Sequence, residues 1–161
     1  MDTVYLETSI VSHATARPSS EWATAVRQDQ AKRWMSEQRP RYVIVTSQFV
    51  LDEAARGDSD AARRRLEMLA DIPILEANPD VEWVANELLA HALMPAKAKL
   101  DALHVATAAL AGVEYLPTQN CRHIANARVL PSVYRLLAEL GLPPLLICTP
   151  IEFLGDIDDH L

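Results

Sequence analysis

DALHVATAALAGVEYLPTQN, residues 101–120, decides the fold. The stretch from Asp101 to Ala111 is strongly helical, and Gly112 is a residue that closes helices. Glu114-Tyr115-Leu116 then reads as a short strand. Asn120 follows that strand in a polar turn. One helix feeding one buried strand is the unit from which α/β sheets are made.

The same alternation continues outward in both directions. Upstream, residues 80–94 read as a helix, parted by Pro95 from a second helix over 96–111. Ile72-Pro73-Ile74-Leu75 reads as a short edge strand, because it contains a proline. Asp58 can cap a helix running to Ala70, and Thr46 or Ser47 can cap one that Gly57 ends. Tyr42-Val43-Ile44-Val45 is a continuous apolar run, as in strands buried on both faces. Residues 21–38 have helical spacing and stop at Arg39-Pro40. TVYLE, residues 3–7, reads as a first strand ending at Thr8-Ser9. Downstream, residues 131–140 read as a helix ended by Gly141. Leu145-Leu146-Ile147-Cys148 is a last strand, and Thr149-Pro150 starts a final short helix. The expectation is a single α/β domain over residues 1–161, with a parallel sheet of about five strands and helices on both faces. In such sheets, sites form beyond the carboxyl ends of the strands, where strand order reverses.

The composition suits a folded domain of this kind. The chain has 161 residues, half of them hydrophobic, and its mean hydropathy is near zero. A chain of this length buries enough surface to fold without a disulfide or metal staple. No apolar run reaches the 18 or so residues that span a membrane. The opening MDTVYLETSI has no basic segment and no cleavage site, so a cytoplasmic protein is expected. Cys121 and Cys148 lack metal-binding spacing and read as reduced thiols. The net charge of −7 argues against a high-affinity, non-specific DNA binder. Charge is uneven, however. Residues 32–65 carry eight basic and five acidic side chains, whereas the last ten carry four acids and no base. Arg63-Arg64-Arg65 reads as a solvated helix face.

Most familiar chemistries are missing. The four glycines build neither GxGxxG nor a phosphate-binding P-loop. There is no GxSxG serine. The five histidines, His13, His91, His104, His123 and His160, show no zinc-ligand spacing. His104, on an apolar helix, reads as a packed or hydrogen-bonded histidine; His123 has a more polar setting, where it can touch a substrate. What remains is a set of polar residues near one end of the expected sheet. Glu7 and Asn120 directly follow strands, while Glu53 and Asp101 lie on helices that flank the same sheet end. Each has an ordinary explanation taken alone: a helix N-terminus for Glu7, solvent for Glu53 and Asp101, a turn for Asn120.

Taken together, these residues resemble those of PIN-domain ribonucleases of the VapC toxin type. YLETSIV places Glu7 where that family has an acid after its first strand. VLDEAARG supplies Glu53, with Asp52 beside it as an alternative. DALHVATAALAG, followed by TQN, supplies Asp101 and Asn120. The resemblance runs from residue 4 to about residue 150. It implies a metal-dependent endoribonuclease that hydrolyses RNA phosphodiester bonds, the toxin of a toxin–antitoxin pair. Its site would be Glu7, Glu53, Asp101 and Asn120, with Glu7, Glu53 and Asp101 holding Mg²⁺ or Mn²⁺. Ser9 or Thr8 would meet a metal-bound water or a phosphate. Arg56 and Arg122 are candidates for RNA phosphates because they lie near these residues in sequence. An antitoxin protein and a second copy of the chain are the implied partners. The apolar stripe Trp22, Val26, Trp34 and Met35 suits either the core or such a dimer interface.

The sequence also departs from the family pattern. Glu7 stands where Asp is usual, and its arm is longer by one methylene. Asn120 stands where many relatives carry an acid. Gln119 replaces a common aromatic, and Pro117 interrupts the strand end. These departures leave open a second reading, a PIN-like fold that binds RNA or protein without cleaving. A phosphoacceptor receiver module fits poorly. It needs an acid pair after the first strand and a lysine after the last, where this chain has Cys148-Thr149.

Overall fold

The computed structural model describes residues 1–91 and 93–155. Position 92, within the expected helix 80–94, and the acidic run 156–161 with His160 lie outside the described residues. Four strands of three residues each, β1 (Thr3–Tyr5), β2 (Val43–Val45), β3 (Tyr115–Pro117) and β4 (Leu146–Cys148), form one parallel sheet. Their order is β2-β1-β3-β4. The chain thus leaves β1 toward β2, then returns to the other side of β1 to lay down β3 and β4. The reversal falls between β1 and β3, where α/β sheets open a crevice at their carboxyl ends.

The fifth expected strand shrinks to a single bridge. Thr46 donates its N–H to the Pro73 carbonyl at 3.0 Å, and its own carbonyl accepts from Leu75 N–H at 2.9 Å. Pro73 has no N–H to extend the ladder. The segment therefore touches the edge of β2 at one point only.

β1 is the centre of the sheet. Val4, Tyr5 and Leu6 are all 0% exposed. Successive strand residues point to opposite faces, so both faces of β1 are covered. Helix α6 (Lys99–Ala111) is buried almost all round, from Ala102 to Ala109. A helix apolar on every side belongs inside, and its alanines let neighbours approach closely. It packs most extensively on α5 (Val81–Ala90). Gly112, at φ +68°, ends α6 in the left-handed conformation that glycine adopts without strain.

The remaining helices follow their expected caps. Ser47 caps α3 (Gln48–Ala54), Asp58 caps α4 (Ser59–Leu69), and Thr149 with Glu152 forms a capping box on α8 (Pro150–Phe153). Helix α7 (Leu130–Glu139) precedes β4. Two helical segments differ from expectation. The turn after β1 continues into a full helix, α1 (Thr8–Thr15), which the β-branched residues there did not announce. The helix expected over 21–38 is α2 (Trp22–Arg33), which widens into a π turn over Trp34–Gln38 before Pro40. Its apolar residues do not make one stripe. Trp34 is fully buried, whereas Trp22 is 79% exposed.

Candidate functional site

Glu7 begins the site. It is the cap of α1, in extended backbone one residue past Leu6, and its carboxylate accepts from Ile10 N–H at 3.2 Å. The helix N-terminus welcomes its negative charge. The Ser9 hydroxyl donates to the same oxygen, Oε1. Ser9 Oγ in turn accepts Gln119 N–H at 2.8 Å and lies 3.2 Å from Thr118 Oγ1. One serine thus ties the end of β1 to the end of β3. Glu7 is only 3% exposed. Burial pushes its carboxyl above the usual glutamate range, against the pull of Ser9, His104 and the Ile10 N–H.

Glu53 arrives from β2 by way of α3. Asp52, the neighbouring candidate, points outward and accepts from Gln48 at 2.8 Å. Glu53 instead meets His104 of α6, Oε1 to Nε2, at 3.2 Å. Burial raises its carboxyl, but the His104 contact, Thr8 and Arg56 outweigh that and hold it below the glutamate range. The Thr8 hydroxyl is buried and faces this carboxylate, which it helps to hold in the charged form. His104 is 1% exposed, and its other nitrogen, Nδ1, lies 2.9 Å from the Tyr5 hydroxyl. Tyr5 completes a 2.6 Å contact with Ser47 Oγ. Burial holds the Tyr5 phenol protonated far above neutrality.

Asp101 sits in the first turn of α6, three residues before His104 and so on the same face. Both its oxygens are occupied. Asn120 Nδ2 donates to Oδ1 at 3.1 Å, and His123 Nδ1 lies 2.9 Å from Oδ2. Asn120 also accepts His123 N–H at 3.0 Å, so it braces the loop after β3 as well as Asp101. An aspartate in place of Asn120 would set two carboxylates against each other, whereas the amide supplies a donor.

The four sequence-predicted residues therefore gather at the carboxyl end of the sheet, joined through Ser9, His104 and His123. The arrangement tests whether a dication suits them. Every candidate ligand is an oxygen donor, as hard cations such as Mg²⁺ and Mn²⁺ prefer. The buried Thr8 hydroxyl adds one more oxygen beside Glu53. By donor chemistry the set fits. Among the described residues, however, no three His, Cys, Asp or Glu side chains stand close enough to share one ion. Glu7, Glu53 and Asp101 are each drawn to a separate partner. Sharing an ion asks these carboxylates to stand closer together than they do here.

The basic candidates divide. Arg56 is exposed and contributes its charge to Glu53. Arg122 is exposed two residues past Asn120. The Arg63–Arg65 run is more than a solvated face. Arg63 pairs with Glu67, Arg64 donates to the Thr15 carbonyl at 3.0 Å, and Arg65 donates to the Ala54 carbonyl at 2.9 Å. The last two tie α4 to the carboxyl ends of α1 and α3. Sequence reasoning missed the roles of Tyr5 and Ser47 beside His104. Only the polarity of a Tyr inside an apolar strand, and of His104 inside an apolar helix, signalled them.

An apolar cavity of about 380 Å³ lies beside the site, behind Ser47, among Phe49, Leu75, Val81 and Ala111. None of the four candidate residues lines it.

No curated protein matches the chain. A family model described as PIN domain matches residues 4–129, most of the chain. The match takes in β1 through β3 and all four candidate residues, and ends before α7 and β4.

Proposed function

The chain belongs to the PIN-domain family, a nuclease fold that typically uses divalent metal ions, and from this premise we propose that it is a metal-dependent endoribonuclease. The observation that supports this most is that Glu7, Glu53, Asp101 and Asn120 stand at the same end of the sheet, with Asn120 bonded to Asp101 and the loop beside it bonded to Ser9, the partner of Glu7. Glu7, Glu53 and Asp101 are the residues to hold Mg²⁺ or Mn²⁺. When bound, the ion supplies Lewis acidity and an activated water.

The chain's own side chains do the rest. Ser9 orients Glu7, and His104 orients Glu53. Asn120 and His123 orient Asp101. Arg56 and Arg122, exposed at the rim, bind RNA phosphates. We further read the chain as one domain over residues 1–161 and as a toxin, working as a homodimer in the cytoplasm and restrained by an antitoxin protein. These last points rest on the VapC-type resemblance of YLETSIV and DALHVATAALAG. Among the described residues, no helix is long and apolar enough to cross a membrane.

The test is cleavage of a structured, mixed-sequence RNA with Mn²⁺ or Mg²⁺, beside EDTA and an Asp101→Asn variant. Cleavage lost in both controls is the expected result. RNA binding without cleavage under any of these conditions would replace this reading with a binding-only PIN fold. The attachment of Glu7 to the α1 cap and to Ser9 is the feature that favours that second reading.

A further inference from the structure

We propose that His104 is a positioning residue for Glu53, set in its Nε2–H tautomer by a one-way chain of hydrogen bonds from Ser47 through Tyr5. The proposal rests on the nuclease reading for its functional meaning, because Glu53 is there a metal ligand. The contacts themselves do not.

Their direction can be assigned from one end to the other. An ionised Glu53 only accepts, so His104 Nε2 must carry the proton it offers across 3.2 Å. In a neutral imidazole, Nδ1 is then the acceptor, and the Tyr5 hydroxyl must donate to it across 2.9 Å. With its proton so committed, the Tyr5 oxygen accepts from Ser47 across 2.6 Å. Ser47 Oγ in its turn accepts Val50 N–H at 3.4 Å. Turning the Tyr5 contact round would need a proton on Nδ1, and a ring carrying its single proton there would set the Nε2 lone pair against the Glu53 carboxylate. Ser47, Tyr5 and His104 are 3% exposed or less, so water cannot easily rescue a broken link.

The chain also closes on itself. Ser47 is the cap of α3, and Glu53 lies on that same helix. The path leaves α3 at Ser47, crosses β1 at Tyr5 and α6 at His104, and re-enters α3 at Glu53. Helix α3 is therefore fixed at two points against the elements that carry Glu7 and Asp101. The ring holds α3, and Glu53 with it, against the strand that leads to Glu7 and the helix that carries Asp101.

The test measures Mn²⁺ affinity of the full chain by electron paramagnetic resonance, for the wild type, His104→Leu and His104→Gln. Loss of such an outer partner typically weakens metal binding by roughly 10–100-fold. Leucine should show that loss. Glutamine places an amide N–H near the Nε2 position, so its affinity should return to within about 3-fold of the wild type, following the same hydrogen-bonding logic. Equal affinity in all three proteins overturns the proposal, and so does a glutamine variant that folds but binds no better than leucine. A long-range ¹H–¹⁵N spectrum of the wild type reads the ring directly. A proton on Nε2 is expected, and a proton on Nδ1 overturns the relay. A wild type that neither binds Mn²⁺ nor cuts RNA overturns the nuclease reading instead, and the ring spectrum then decides the relay alone.

Discussion

Asp101 and His123 stand 2.9 Å apart, carboxylate to imidazole, across 22 residues of sequence. The contact joins the first turn of α6 to the loop after β3, and Asn120 joins the same two pieces through the other oxygen. Asp101→Asn keeps the size of the side chain but removes its charge. RNA cleavage should fall at least about 100-fold, the upper end of what loss of even an outer metal partner costs. The melting temperature should shift little by comparison. A variant that cuts RNA at the wild-type rate would remove Asp101 from the site.

Glu7 should show the opposite balance of stability and activity. Its folded-state carboxyl lies above the ordinary glutamate value because it is buried. The native protein therefore keeps the proton to higher pH than the unfolded chain does. Stability from the protonated form is complete below the ordinary value and is lost as pH rises through the raised one. In EDTA, wild-type stability should decline over that window relative to Glu7→Gln, which shares every other titrating group. At neutral pH the variant should melt higher, by about 2–4 °C for each kcal/mol recovered, while losing cleavage. Thermal melts at several pH values give the answer, and a variant that melts lower throughout would show Glu7 serving chiefly as the cap of α1.

The two cysteines should separate cleanly toward an alkylating reagent. Cys121 is exposed, whereas burial pushes the Cys148 thiol up to about 12. The thiolate is the reactive form. Iodoacetamide at pH 8 should give one adduct, on Cys121, by mass spectrometry, with Cys148 labelled only in denaturant. Early labelling of Cys148 would mean that β4 opens readily at the sheet edge.

Gly112→Ala isolates a backbone cost. The nearest atom to an added Cβ is Pro143 Cγ at 3.7 Å, an ordinary contact. The strain comes from φ +68° alone and should cost about 1–2 kcal/mol. The urea midpoint should fall with its slope unchanged. An unmoved midpoint would show that α6 can end in another conformation at no cost.

Much of this molecule could be read from local sequence, because local chemistry fixes much of it. Proline, glycine and the Ser/Asp caps marked the helix ends near Arg39-Pro40, Asp58 and Gly112. The strands announced themselves as apolar runs, but the run at 42–45, read as buried on both faces, is an edge strand with Val43 44% exposed. The edge strand at 72–75 was overread, since one proline removes the donor on which a second ladder bond depends. Helix α1 is implied in the sequence only by Glu7 as a helix N-terminus, because Ile10 and Val11 favour strands locally, and burial at 0% exposure overrides that preference. The four candidate residues were visible as acids and an amide after strands. Their partners were not. His104 and Glu53 are 51 positions apart, and Tyr5 and Ser47 are 42 apart. No local spacing encodes such pairs; only the strand order brings them together.

That strand order also governs when the site can exist during synthesis. Ser9 and Gln119, which clasp β1 to β3, are 110 positions apart. At ribosomal rates of about 5–20 residues per second, Glu7 waits roughly 5–20 s for its counterpart to be made. Over that interval β1 has no β3 to pair with. A chain cut short before Gln119 therefore lacks one half of the clasp between β1 and β3, and this end of the sheet cannot assemble.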